Sequence, residues 1–351
     1  MLCSDFYMEQ NRLEKKEIGV IGLGAIGGIM AAFMKKAGYS IEVAAKYEDY
    51  AELVETEGVS VIGIKGKHKV KIPAVPRAKD FTGKKDIIFL AVKATDMMDI
   101  APDMKEKLKE SGRVVTLQNG ITQPKLGEII DPKKIIACVI GFGGTIHGKG
   151  KVEVTSKGEF VIGTINNRED PQLKAIKTLL DTTYPTYISE NMIGYLYAKL
   201  IINSCITSLG AICGLYLGEM LKKKKVREIF IKIMEEAIDV ADAMGIKVEP
   251  YADRLDYYSF LKDGFFARIK RHLTIRVIGF KYRKIKSSSL QSLERGKPTE
   301  VDYLNGYIIE QGEKHGVKTP VNDKVVEIIK EIEDEKRKIS PKNFEEFDPL
   351  I

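Results

Sequence analysis

A lysine inside an apolar helical run makes the strongest chemical demand in this chain. Lys199 is followed by Leu200, Ile201, Ile202 and Asn203, and Thr207 stands one turn further on. The spacing i, i+4, i+8 sets an ammonium, an amide and a hydroxyl in one stripe on one helix face. Leu200, Ile201, Ile202, Ile206 and Leu209 surround them, so the helix is expected to be buried. An unpaired ammonium is costly there unless it is deprotonated or compensated. A cation so placed can polarise a carbonyl and protonate the alkoxide that hydride transfer leaves, and a lowered pKa would suit it as a general acid. The plain alternative is a lysine that snorkels to the surface along its own stem.

A hydride needs a donor, and the chain has a place for one. Gly22-Leu23-Gly24-Ala25-Ile26-Gly27 follows a predicted strand and opens a predicted helix. Gly22 permits a tight turn, Gly24 clears space for a pyrophosphate, and Gly27 lets helix and strand pack closely. The helix N-terminus then offers free N–H groups to the phosphates. The second strand ends Glu42-Val43-Ala44-Ala45-Lys46, with no acid at its tip to hold a ribose diol. Lys46 could pair with a 2′-phosphate, which favours NADP(H), although it also reads as an exposed surface lysine. Glu42 is expected to point along the strand, away from the ribose.

The rest of the chain must position these groups. Its 351 residues suit about two domains. With 44% hydrophobic and 30% charged residues it has the composition of an ordinary globular protein. The net charge of +7 is spread along the chain, which suits anionic small molecules better than nucleic acid. The densest basic segment, Lys262 to Lys286, reads first as solvated surface. Cys3, Cys138, Cys205 and Cys213 show neither a CxxC spacing nor a histidine partner, so no metal is expected. Reduced thiols and a start without a signal segment favour a cytoplasmic location. Glycines interrupt the apolar run at 18–34 and Lys199 interrupts that at 196–217, so no membrane span is read.

The pattern begins with a polar leader, residues 1–16, and a dinucleotide-binding domain is expected over 17–189. Runs at Ile87–Val92, Val114–Leu117 and Ile135–Ile140 look like strands buried on both faces of a parallel sheet. Val59–Ile64 and Val70–Ile72 suggest an inserted hairpin, and Val152–Val154 and Phe160–Ile162 antiparallel edge strands. After Asn191 the period becomes helical, as in Ile229, Ile233, Ala237, Val240 and Met244, giving a second domain over 190–335. The two would join directly, with a cleft beside the junction, and residues 336–351 read as a fraying tail. The fold class is therefore α/β: an N-terminal Rossmann-type doubly wound sheet followed by a mainly α-helical C-terminal domain.

From residue 18 to residue 333 the chain resembles the ketopantoate reductase family. The resemblance rests on the glycine loop, Val92-Lys93-Ala94, Gln118-Asn119-Gly120, Lys199-x-x-x-Asn203, Ser288-Ser289-Leu290-Gln291 and Thr299-Glu300-x-Asp302-Tyr303-x-Asn305-Gly306, in that order. It implies an NADPH-dependent, cytoplasmic, homodimeric enzyme that reduces a small 2-oxo acid, with neither membrane nor nucleic-acid partner. Lys199 would be the general acid and Glu300 the acceptor for the substrate hydroxyl. Asn203 would hydrogen-bond the substrate and Ser288 its carboxylate. Asn119 would hold nicotinamide ribose or substrate, Lys93 the adenosine side of the cofactor, and Lys46 the 2′-phosphate. Simpler roles stand beside these: Asn119 capping its turn, Ser288 capping a helix, Lys93 and Glu300 as surface charges, and Asp302 as a structural group.

Two features depart from the family. Thr207 stands where the family generally has a second asparagine, which concerns substrate identity. The stretch from Glu249 to Ser287 is longer and more basic, and would form an added helical excursion or a dimer contact. Reduction of 2-dehydropantoate to pantoate is the leading reading. Reduction of a different 2-oxo acid and cofactor sensing without turnover are the rivals.

Overall fold

The computed structural model describes residues 15–251 and 255–351; Cys3 and most of the expected leader lie outside them. The chain divides into two compact units. One holds the residues up to Gln118 with Thr122–Met192, and the other holds Asn119–Ile121 with Ile193–Ile351.

The first unit is built on an eight-stranded sheet. In chain order its strands are β1 (Ile18–Ile21), β2 (Ile41–Ala44), β5 (Ala74–Val75), β6 (Lys85–Leu90), β7 (Leu108–Thr116), β8 (Ile135–Ile140), β11 (Phe160–Gly163) and β12 (Thr186–Ile188). Their spatial order is β12-β11-β8-β7-β6-β1-β2-β5. All neighbours run parallel except β8 and β11. The six strands from β5 to β8 carry the doubly wound order 3-2-1-4-5-6, in which the winding reverses beside β1. The near-continuous apolar runs have a simple cause. Ile18, Val20, Ile87, Phe89 and Val115 enter the core on one face, while Ile21, Ile88, Leu90 and Val114 enter a second core on the other.

Helices α1 (Ala25–Lys36), α2 (Glu48–Thr56), α3 (Met97–Lys107) and α4 (Leu173–Asp181) are the longer helices of this unit. The inserted hairpin is present as β3 (Val59–Gly63) and β4 (His68–Val70). The strand at Val152–Val154 departs from expectation. It lies in β10 (Lys151–Ser156), which pairs with β3 and with β9 (Gly143–Gly148) in a separate four-stranded sheet, β4-β3-β10-β9. Alternation predicts a strand but does not choose its partner.

The second unit is helical: α5 (Met192–Cys213), α6 (Lys224–Ala243), α7 (Phe265–Lys281), α8 (Asn305–His315) and α9 (Pro320–Glu333). By length and composition α5 could cross a membrane, but its most apolar stretch is 83% buried, as a central core helix would be. The expected tail is packed rather than frayed: a 3₁₀ segment, Pro341–Leu350, buries Phe344 and Phe347. Two aromatics among charged neighbours outweigh the local polarity.

Candidate functional site

The glycine loop in the first unit is shaped by what its residues lack. Gly22 follows β1 with φ of 96°, and a Cβ there would lie 2.8 Å from Val92 Cγ1 beyond β6. At Gly27 a Cβ would come within 2.0 Å of the Gly22 carbonyl oxygen and 2.9 Å of Ala91 Cβ. Gly24 differs: a Cβ there would meet nothing within 4 Å. It is the N-cap of α1, with no side-chain cap and no acid in the first turn. Leu23, Ala25 and Ile26 complete the loop, and the Leu23 carbonyl is fixed by the Tyr50 hydroxyl at 2.8 Å. The loop is thus tight where it meets the protein and open at the helix N-terminus, the shape and polarity that a dinucleotide pyrophosphate fits.

Around this loop, Glu42 is committed elsewhere. It is buried, pairs with the buried ammonium of Lys85 at 2.7 Å, and accepts from the Thr82 backbone N–H and hydroxyl, both at 2.9 Å. The tip of β2 therefore carries no free acid, as the sequence implies. Lys46, with φ of 81°, projects from that tip 3.5 Å from Asp96 Oδ2, and both side chains are exposed. Sequence reading missed Asp96, which follows Lys93 by three residues and sets a carboxylate beside the only cation assigned to a 2′-phosphate. Lys93 itself leads into the 3₁₀ turn Ala94–Asp96. Beyond β7, Gln118 is buried, and neither atom of its amide has a partner among the described residues. That end of a doubly wound sheet is where ligands bind.

The second unit gathers the remaining predicted residues. Lys199 and Asn203 are half-buried on α5, so the lysine is less sealed than the surrounding sequence suggests. Thr207 is buried and donates its hydroxyl proton to the Asn203 carbonyl at 2.8 Å. Asn119 leads the loop that belongs to this unit. Gly120, at φ of 82°, lies so close that a Cβ would sit 2.3 Å from the Tyr303 carbonyl oxygen. The loop is thereby held against the turn that Glu300 opens, Val301–Tyr303. Ser288 is exposed at the start of a short helix, Ser288–Leu293, and the capping role falls instead to Ser287, whose Oγ accepts from Leu290 N–H at 3.2 Å. That segment rests on α5, since a Cβ on Gly210 would lie 2.6 Å from Ser287 Oγ. Asp302 is exposed and pairs with Lys330 at 2.5 Å.

What binds these pieces is a buried polar network that sequence reading did not identify. Asn305 is fully buried, accepts from Ser208 Oγ at 2.5 Å, and donates to the Ser204 carbonyl at 3.3 Å and to Asn322 Oδ1 at 2.9 Å. Asn322 donates in turn to Glu236 at 2.7 Å. Glu236 also accepts the backbone N–H groups of Val321 and Asn322 at the start of α9. Burial raises the Glu236 carboxyl above its ordinary value, against the lowering effect of these donors. The Glu300 turn and α5 are thus fixed to each other through Asn305, two residues beyond Tyr303. Ser204 and Ser208, each one residue past Asn203 and Thr207, were the available sequence signal. Buried Tyr257 adds a further tie, donating to the Ala198 carbonyl at 2.5 Å, immediately before Lys199.

Fold and site together define a dinucleotide-binding α/β oxidoreductase. The model for ketopantoate reductase PanE/ApbA matches residues 18–167, and that for its C-terminal domain matches residues 191–333. The chain belongs to the ketopantoate reductase family. It is 25% identical over 321 residues to the 2-dehydropantoate 2-reductase of Archaeoglobus fulgidus, covering 91% of this chain and 98% of that one. It is 27% identical to the Aquifex aeolicus enzyme of the same name, covering 89% and 95%. Among solved structures, a ketopantoate reductase of Ralstonia eutropha superposes with a TM-score of 0.78 at 26% identity, covering 91% and 99%. A D-mandelate dehydrogenase solved with NADH and anilino(oxo)acetate shares the fold, with a TM-score of 0.76 at 21% identity over 91% and 99%.

Proposed function

We propose that the chain reduces 2-dehydropantoate to pantoate with NADPH, and that Lys199 is the general acid. The observation that carries this reading is the tie through Asn305, which holds the Glu300 turn against the helix bearing Lys199 and Asn203. Reduced nicotinamide, when bound, supplies the hydride. The glycine loop and α1 N-terminus hold the pyrophosphate, Lys46 meets the 2′-phosphate, and Lys93 contacts the adenosine side. Lys199 donates to the C2 carbonyl oxygen and passes a proton to it as negative charge develops there. Because that charge exists only along the reaction, the interaction acts on kcat more than on binding. Glu300 accepts from the substrate hydroxyl, Asn203 and Asn119 orient the substrate, and Ser288 meets its carboxylate.

A second reading has an observation behind it. Thr207 turns its hydroxyl proton back to its own helix, so it does not replace the donor that an asparagine would supply. That favours a different 2-oxo acid, in keeping with the D-mandelate dehydrogenase likeness. Initial rates of NADPH oxidation across a panel of 2-oxo acids, with NADH in parallel, test both. Saturable turnover selective for 2-dehydropantoate is expected; selective turnover of another 2-oxo acid would replace the substrate, and no turnover of any would sink the assignment. We further propose that the enzyme is a cytoplasmic homodimer. The buried thiols of Cys138, Cys205 and Cys213 support the compartment, and the exposed apolar face of α7 supports the assembly.

A further inference from the structure

Helix α7 lies in the long basic segment that departs from the family pattern, and it packs by one face only. Arg271, Ile275 and Gly279 are buried, and a Cβ on Gly279 would lie 2.8 Å from Leu221 Cβ. Arg268 and Arg271 also turn to the body of the unit, pairing with Glu228 and Glu235 of α6 at 3.4 and 3.5 Å. The opposite face carries Phe266, Ile269, Leu273, Val277 and Phe280, all exposed, with Phe266 at 83% and Phe280 at 67%. A contiguous apolar surface of this size marks an interaction site.

The order of these five residues identifies the occupant. Their spacing is 3, 4, 4, 3, the narrow seam that one helix offers another. It reads the same in both directions, in spacing and in residue type: Phe, a β-branched residue, Leu, a β-branched residue, Phe. A two-fold axis through Leu273 would set Phe266 against Phe280 of the second copy, Ile269 against its Val277, and Leu273 against itself. That is the self-complementarity an isologous interface requires. The seam's two phenylalanines, at roughly 150–250 Å² each, with its three aliphatics, supply most of the about 800 Å² per partner of a standard interface.

We infer that α7 pairs with α7 of a second copy of this chain, antiparallel, with the two-fold axis at Leu273. The inference rests on the homodimeric reading of the assembly and is independent of the substrate. It carries a signature. Lys270 and Arg276 flank the seam on opposite sides, and the same axis brings each toward its own copy across the pair. These like charges meet at an exposed rim, so salt should tighten the pair by screening them. An acidic surface would bind the same face more weakly as salt rises.

The test uses the full chain with Cys3→Ser, in sedimentation velocity at low and high salt, with two added single-cysteine variants. A dimer that strengthens with salt is expected. Leu273→Asp should weaken it by at least about 30-fold, the loss that follows from removing a central hot spot. Under oxidation Leu273→Cys should form a disulfide-linked dimer. Phe266→Cys should not, because the pairing places its two copies roughly 21 Å apart along the seam. A monomer at all salt concentrations overturns the homodimeric reading and the inference together. A dimer that Leu273→Cys does not cross-link, or that Phe266→Cys does, overturns the pairing alone. A monomer that binds phosphatidylglycerol vesicles, and is released by salt, makes this face a lipid-binding surface and overturns the inference.

Discussion

The two binding regions are made in opposite ways. The loop we assign to the cofactor in the first unit is six consecutive residues whose shape comes from missing side chains: a turn only glycine makes easily at Gly22, a contact only glycine allows at Gly27, open space at Gly24. The region we assign to substrate in the second unit draws on residues 119, 199, 203, 288 and 300, and its supports are buried side chains that bond to one another. A local motif can be damaged at one point and the rest of the chain still folds. A dispersed site shares its hydrogen bonds with the core, so changes in its supports should move stability and activity together.

The sharpest test of this contrast is Lys199→Ala. Loss of a general acid should cost roughly 10²–10⁴ in kcat while cofactor affinity is preserved. Near-normal turnover would remove Lys199 from the chemistry. In the cradle, Gly27→Ala and Gly24→Ala should separate. The first drives a methyl into the Gly22 carbonyl and should destabilise by about 1–3 kcal/mol or more. The second should lower stability by less, the cost of losing a glycine N-cap, and weaken cofactor binding in a fluorescence titration. If both lowered stability equally, the open side of the loop would not be where the pyrophosphate sits.

Asn305→Ala should lower both stability and kcat without changing cofactor affinity, because it orphans Ser208 and Asn322 at about 1–3 kcal/mol per unpaired buried group. Unchanged kcat in a folded protein would show that the network supports the core and not the site. Lys46→Ala should weaken NADPH binding several-fold with little effect on NADH, and Asp96→Asn should strengthen NADPH binding by a smaller factor. Equal losses for both cofactors would take Lys46 off the 2′-phosphate.

The smallest effect is a pH slope. Glu236 has its folded pKa raised above the unfolded value, chiefly by burial, so the folded state binds its proton more tightly. Its contribution to stability should therefore be fully present below the unfolded pKa, fall as pH rises toward the folded pKa, and level off beyond it. Thermal melts of the Glu236→Gln variant should lack that slope; an identical slope would assign it to another group.

The sequence foreshadowed the cradle, the parallel strands and the helical second half because each depends on short-range pattern. Glycine conformation, apolar runs and helical period are local properties of neighbouring residues. It also carried the Lys199–Asn203 stripe, since four residues bring side chains to one helix face whatever surrounds them. The partner of β10, the packing of Phe344 and Phe347, the Asp96 carboxylate beside Lys46 and the committed state of Glu42 were beyond it. Each depends on residues far apart in the chain, and periodicity gives no account of who meets whom. The Asn305 network shows this most clearly. Its asparagines, serines and glutamate look like ordinary surface polar residues in the sequence. Only burial, where every polar group must find a partner within the protein, makes them the structure that holds the site.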